Sequence, residues 1–429
     1  MKIIQNPYPS TWASLCERPE FERAALTSTV SDILEAVKSK GDEALLQYAE
    51  RFDGVKLTSI LVNEEEKEEA KTQVSASLKE AIQTAYDNIY AFHKAQQKEE
   101  ESIETKPGIK CWRRSLPIEK VGLYIPGGSA PLFSTILMLG IPASIAGCKE
   151  MVLCTPPGKD GKVHPAILYT AQLVGITTIC KVGGAQAVGA MAYGTQSVPQ
   201  VYKIFGPGNQ YVTKAKEIVQ VNGTAIDMPA GPSEVLVIAD ETCQPSFVAA
   251  DLLSQAEHGA DSQVILLSTS MAVVEACIAE VNRQVDALPR KDIALKALAN
   301  SKAIALDSID KCFAWSNLYA PEHLIVASDQ ATDFIDKIES AGSVFLGNYS
   351  CESAGDYASG TNHTLPTNGY ARNYSGVSLD SFVKKVTFQE LSPSGLQAIG
   401  GAIEIMAEIE GLIAHKNAVS IRLKAMADA

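Results

Sequence analysis

Two series of short apolar runs, at 121–205 and 235–346, alternate with helical patterns. This order predicts an α/β protein with two Rossmann-like parallel-sheet domains facing a cleft, plus a short N-terminal arm and a mostly helical C-terminal tail. Length agrees, since 429 residues exceed what one ordinary core organises. Between the two series lies a Pro/Gly hinge, Met228 to Ser233.

The elements follow in order. Pro7, Pro9 and Pro19 make residues 1–22 an irregular arm. Thr27 to Lys38 and Asp42 to Arg51 read as helices, ended by the Asp53-Gly54 turn. Asn63 caps one long helix reaching about Glu101. The charged run 64–71 is its solvated face, and Ala81, Ala85, Ile89, Ala91 and Phe92 are its apolar stripe. His93, beside that stripe, reads as a packing or surface histidine. Pro131 to Cys148 is the most apolar window, but Ser134, Gly140, Pro142 and Ser144 interrupt it. It reads as a buried core helix and its exit, not a membrane span.

The first strands are Val121–Ile125, Met151–Thr155, Thr177–Val182 and Val201–Phe205. The second set is Val235–Ala239, Gln263–Leu267, Ala303–Leu306, Leu324–Val326 and Ser343–Leu346. Beyond Val377, Ser381–Lys385, Pro393–Glu410 and Leu412–Ala427 read as helices, with a short strand near Val386–Phe388. Ser392 followed by Pro393 is an N-cap and a first-turn proline. This tail lacks an obvious core of its own.

A net charge of −13 opposes nucleic-acid binding, which needs a basic surface. Nine cysteines at irregular spacing, without a CxxC pair, fit a reduced intracellular protein. The N-terminus MKIIQNPYPSTW lacks an apolar signal core. The expectation is a cytoplasmic protein with no membrane partner and no export signal.

Three glycine loops leave the first strands: YIPGGSAP (124–131), VGGAQAVGA (182–190) and FGPGNQYVTKAK (205–216). Parallel sheets bind ligands outside the carboxyl ends of their strands, and glycines let backbone N–H groups approach a phosphate or ribose. The loops therefore suit a nucleotide, or they only make tight strand-to-helix turns. No GxGxxG fingerprint is present.

Four later stretches carry reactive side chains. In DLLSQAEHG (251–259), Gln255 and His258 share a helix face, with Asp251 one turn before Gln255. Amide oxygen and imidazole can form half of a zinc site. The alternative is a helix C-terminus with histidine at the negative dipole end. In LYAPEHL (318–324), Glu322 and His323 offer two proton acceptors of different pKa for general base work, or an ordinary turn. GDYASGTNHTLPT (355–367) is a long loop holding Asp356, a possible third ligand, and His363. EGLIAHKNAVSIRL (410–423) places Glu410 and His415 around Gly411.

Over nearly its full length the chain resembles the histidinol dehydrogenase family. The resemblance is carried by VGLYIPGGSAPLFST, VGGAQA, FGPGN, IDMPAGPSEVLVIAD, DLLSQAEHG, APEHL, GDYASGTNHTLPT and EGLIAHKNAV, in family order. It implies oxidation of L-histidinol to L-histidine, the last step of histidine biosynthesis, in two NAD-dependent steps through bound L-histidinal. It implies one zinc ion per subunit on Gln255, His258, Asp356 and His415, holding the substrate's imidazole and amino group. Glu322 and His323 would be the acid/base pair. Ser233, His363 and Glu410 would line the substrate beside Gln255, His258, His323, Asp356 and His415. Tyr124, Gln186 and Asn209 would contact NAD. A homodimer with an intertwined tail would bring Glu410 and His415 to the neighbouring chain's site. The domains would be an arm at 1–22, an α/β domain from 23–110 and 233–377 carrying metal ligands and the Glu-His pair, a nucleotide-binding domain at 111–232, and a dimer-swapped tail at 378–429.

Other readings remain at this point. A zinc hydrolase would use Glu322 as base for a metal-bound water, but three glycine loops on a separate sheet oppose it. A related NAD-dependent dehydrogenase of another polar alcohol should lack His363 and Glu410, and a binding-only descendant should lack Glu322 and His323. Cys148 and Cys154 lie near the nucleotide half and could supply a thiol nucleophile, although buried core thiols are the simpler expectation.

Overall fold

The computed structural model describes residues 1–18, 23–98, 100–127, 131–229 and 231–428. Pro19 of the expected arm, residues 128–130 of the first glycine loop and Ala230 of the expected hinge lie outside the described residues. The chain forms two compact bodies, one from 1–94 and 118–382, the other from 95–117 and 383–429.

The first body holds two parallel sheets. The five-stranded sheet runs Thr178–Lys181, Glu150–Thr155, Lys120–Tyr124, Lys203–Phe205, Ala225–Ile226, with every pair parallel. The strand first in sequence sits centrally and the order reverses beside it, as in doubly wound folds. The six-stranded sheet repeats the pattern: Lys2–Gln5, Lys302–Ala305, Gln263–Ser268, Glu234–Ala239, His323–Ala327, Ser343–Leu346, again all parallel. Glu234–Ala239 and Gln263–Ser268 are buried at every position, because helices cover both faces. The core helix Phe133–Ala146 is buried continuously from Ser134 to Ala143. Among the described residues, no helix is long and apolar enough to cross a membrane.

Three local expectations change. Lys2–Gln5, within the expected irregular arm, is an edge strand paired with Lys302–Ala305. The long helix from Asn63 is two helices, Glu64–Gln73 and Ala76–Lys94. Asn63 and Glu66 form a reciprocal capping box, but Val74 turns extended and the Ser75 hydroxyl accepts a new first-turn N–H from Leu78 at 3.2 Å. Finally, the expected helix Ser381–Lys385 is a 3₁₀ turn, Leu379–Phe382, running into the strand Val383–Leu391.

That strand belongs to the second body. It pairs antiparallel with Ile109–Pro117, which pairs with Ile103–Lys106. Trp112 stacks on Phe388 across the pairing, with ring centroids 5.5 Å apart. The helices Pro393–Ile409 and Ile413–Ala427 follow, the first capped by the Ser392 hydroxyl, which accepts from Gly395 N–H at 3.1 Å. Gly400 brings them together, since a Cβ there would meet Leu423 at 2.7 Å. No residue of Ile413–Ala427 is buried, and Ile405, Met406, Ile409 and Ile413 are exposed.

His93 is buried completely. Its Nδ1–H donates to the Ile89 carbonyl at 2.9 Å, so Nε2 accepts from Asn362 Nδ2 at 3.4 Å. Burial lowers its pKa from the usual 6.5 against the opposing carbonyl bond. The unfolded chain therefore takes up the proton first, and this contribution to stability, complete above about pH 6.5, declines as pH falls. Relative to His93→Gln, the wild type should lose stability as pH falls below about 6.5, by up to about 1.4 kcal/mol per pH unit in urea unfolding. Equal losses in both proteins would remove His93 as the cause.

Candidate active site

In a βαβ unit the helix runs opposite to the strand before it. The helix Pro245–Ala256 therefore returns from the carboxyl end of Glu234–Ala239 to the amino edge of the six-stranded sheet. Gln255 lies in its last turn, and His258 in the turn just beyond, since the helix stops at Ala256, short of the expected His258. The strand His323–Ala327 begins at this same edge, with His323 in register with Val235. Before it, Ala320 ends the helix Ile309–Tyr319 with a φ of 53°, strained for a residue carrying a Cβ. That kink and Pro321 deliver Glu322. The short helix Glu352–Tyr357 adds Glu352 and Asp356, one turn apart.

The backbone of one residue, Glu234, orients Glu322 and His323. The Glu234 N–H donates to Glu322 Oε2 at 2.8 Å, and His323 Nδ1–H donates to the Glu234 carbonyl at 3.1 Å. This fixes the histidine tautomer and leaves Nε2 as the basic atom, 3.6 Å from Asp356 Oδ1. His323 Nδ1 is also 3.6 Å from Glu322 and 3.9 Å from Glu352. His363 Nδ1–H donates to the Asp356 carbonyl at 2.8 Å, and its Nε2 lies 3.0 Å from the Thr135 hydroxyl.

Several buried polar atoms here have no hydrogen-bond partner: both amide atoms of Gln255, His323 Nε2 and both carboxylate oxygens of Glu352. Among the described residues, His323, Glu352 and Asp356 bring ligand atoms within 4.8 Å of one another. Such a concentration of orphaned donors and acceptors fits a bound cation or polar ligand. His258 is exposed at the rim, although nearby protein atoms still lower its pKa.

The charges agree. Burial pushes Glu322 up to about 8 and Glu352 up to about 8. Asp251, one turn behind Gln255, rises to about 7 for the same reason. Burial alone would lower His323, but Glu352, Glu322 and Asp356 raise it to about 10. Burial would raise Asp356, yet the charge of His323, 3.6 Å away, holds it below its ordinary value. A positive ligand placed among these carboxyl groups would relieve their mutual repulsion and free His323 to act as a base.

The other sheet carries a cavity of about 1350 Å³ lined by Tyr124, Gly127, Gly183, Gly184, Gln186 and Asn209, so the three glycine loops converge. It lies at the carboxyl ends of the strands, beside the reversal of strand order. The Tyr124 hydroxyl accepts from Gly184 N–H at 3.1 Å, and burial pushes its pKa up to about 12. Asn209 caps the helix Gln210–Val221 through its side-chain oxygen. Gly206, at a φ of 125°, packs so closely on the Tyr124 carbonyl that a Cβ would lie 2.1 Å from it.

The structure thus gathers Gln255, His258, Glu322, His323, Asp356 and His363 around one edge, with Ser233 preceding Glu234 on the same strand end. Glu410 and His415 belong to the second body. Sequence reading missed Glu352, because residues 352–357 were not recognised as a helix; two acids four apart were the available signal. Cys148 and Cys154 are buried; burial pushes the Cys148 thiol up, and the neighbouring Cys180 thiol together with burial pushes Cys154 up, which agrees with core thiols.

The histidinol dehydrogenase family model matches residues 16–423. The chain is 57% identical to histidinol dehydrogenase of Bacteroides fragilis, over 99% of each chain. It is 54% identical to the chloroplastic histidinol dehydrogenase of Arabidopsis thaliana, over 96% of this chain and 88% of that one. The crystal structure of histidinol dehydrogenase from Elizabethkingia anophelis superposes with a TM-score of 0.97 at 59% identity, covering 99% of this chain and 98% of that one. On a match of this length and identity, the chain belongs to the histidinol dehydrogenase family of oxidoreductases.

Proposed function

We propose that this chain oxidises L-histidinol to L-histidine through L-histidinal, with the reacting alcohol at the amino edge of the six-stranded sheet and the nucleotide in the glycine-loop cavity. The reading rests chiefly on the unpartnered amide of Gln255 and carboxylate of Glu352 beside the oriented Glu322 and His323. When bound, zinc on Gln255, His258, Asp356 and the partner subunit's His415 would fix the substrate's imidazole and amino group, and NAD would accept a hydride in each oxidation. The acidic surroundings, Glu322, Glu352 and Asp356, suit a cationic amino alcohol. His323 Nε2 takes the hydroxyl proton, its ring held by the Glu234 carbonyl. Glu322, pushed up to about 8, activates the water that adds to the aldehyde before the second oxidation. Ser233, His363 and Glu410 orient the substrate, and Tyr124, Gln186 and Asn209 hold the nucleotide. Nine free cysteines, most of them buried, support a reducing, cytoplasmic setting.

The exposed Ile405, Met406, Ile409 and Ile413 support a homodimer in which the tail of one chain packs on the other. Glu410 and His415, next to those side chains in sequence, would complete the neighbour's site.

Three outcomes are expected. A chelator abolishes histidinol oxidation and zinc restores it; full turnover by enzyme shown metal-free by elemental analysis would remove zinc from the scheme. Glu322→Gln slows histidinal oxidation by about 10²–10⁴-fold, while His323→Asn impairs alcohol oxidation at least as much. Unchanged histidinal turnover in Glu322→Gln would break the assignment of roles. Mixing inactive His415→Ala and His258→Ala chains after mild unfolding restores activity, because a two-fold heterodimer collects both defects in one site and leaves about half of its sites intact. A dead mixture containing proven heterodimers would show that each tail serves its own chain.

A further inference from the structure

The acid/base pair hangs from the Glu234 peptide, and the Glu234 side chain is itself held. The guanidinium of Arg18 makes a forked ion pair with it: Nε donates to Oε1, and Nη2 donates to Oε2 at 2.8 Å. Arg18 Nη2 also donates to the Tyr319 carbonyl at 2.9 Å, and the guanidinium carbon lies 3.9 Å from the Tyr319 ring centroid. The Asn368 N–H donates to Glu234 Oε1 at 3.1 Å, and the Tyr319 hydroxyl donates to Gln263 at 2.7 Å. The Arg18 and Glu234 side chains are 14% and 3% exposed.

Arg18 therefore grips the two chain segments that present the pair. Glu234 begins one strand and orients both Glu322 and His323 through its peptide groups. Tyr319 ends the helix whose next residues are the strained Ala320, Pro321 and Glu322. We infer that Arg18 is a positioning residue for the reaction, acting through Glu234 and Tyr319 to hold Glu322 and His323 at their working angles. The inference rests on the acid/base reading of that pair. Only a planar fork fills this role, because an ammonium keeps the charge but cannot bind both carboxylate oxygens and the Tyr319 carbonyl in one plane.

The test compares Arg18→Lys and Glu234→Gln with wild type in zinc-loaded enzyme, using Glu322→Gln and His323→Asn as references. Arg18→Lys should lower kcat for histidinol by about 10- to 100-fold, the scale of a small misplacement of catalytic groups, with KM changed by less than about twofold. The acidic limb of its kcat–pH profile should shift, because the His323 hydrogen bond to Glu234 loosens. Glu234→Gln, which keeps an acceptor for Arg18, should show the same pattern more weakly. A purely structural role predicts a lower melting temperature but wild-type kcat per folded site and an unmoved pH profile, and that result would overturn the inference. Should either variant fail to fold, the other decides it. Wild-type turnover in both Glu322→Gln and His323→Asn would overturn the acid/base reading and this inference with it. Impaired reference variants beside an unaffected Arg18→Lys would overturn the inference alone.

Discussion

Every helix in a parallel α/β sheet travels opposite to the strand before it, and the buried polar cluster of this protein depends on that rule. It brings the last turn of Pro245–Ala256 back to the edge where His323–Ala327 starts. Residues separated by dozens of positions, Gln255, His323 and Asp356, then meet without any long excursion of the chain. The five-stranded sheet obeys the same rule but uses its other edge, where glycine loops leave the carboxyl ends and open on the cavity. Within one body the two sheets thus offer opposite kinds of edge: backbone N–H groups and glycines at one, side-chain carboxylates and imidazoles at the other.

The carboxylate edge is electrostatically unsettled. Burial raises Glu322 and Glu352, and both share the single imidazole of His323. A group of acids in low dielectric around one base disfavours its own full ionisation. The same arrangement selects for ligands that bring positive charge, so the site trades stability of the empty cluster for affinity. Glu234 and Arg18 form a forked ion pair at this edge, and there the charges are matched within the protein.

Most strands of the two parallel sheets were legible because they appear as unbroken apolar runs, as in Val235–Ala239 and Met151–Thr155, buried on two faces, whereas the edge strands Lys2–Gln5 and Ala225–Ile226 were not. The antiparallel sheet was not, since Ile109–Pro117 and Val383–Leu391 are half exposed, mix lysine and arginine with apolar residues, and gain their order from partners more than 260 positions apart. Gln255, His258, Glu322, His323, Asp356 and His363 were recognisable from motif and residue type. Glu352 and Arg18 were not: one sits on a helix of a single turn and a half, the other acts through a backbone peptide whose role no local pattern encodes.

At the far end of the six-stranded sheet, hydrogen bonds close the crevice that this topology would otherwise offer. The Ser328 hydroxyl donates to Asp240, the Thr242 hydroxyl accepts from Asp329 N–H at 2.9 Å, and Asn348 Nδ2 donates to Asp329 at 2.8 Å. These loops are tied to each other, with Asp329 exposed and Asn348 half-buried. For anyone wishing to immobilise the enzyme or attach a reporter, this rim is the side of the sheet that lies away from the buried cluster of carboxylates and imidazoles.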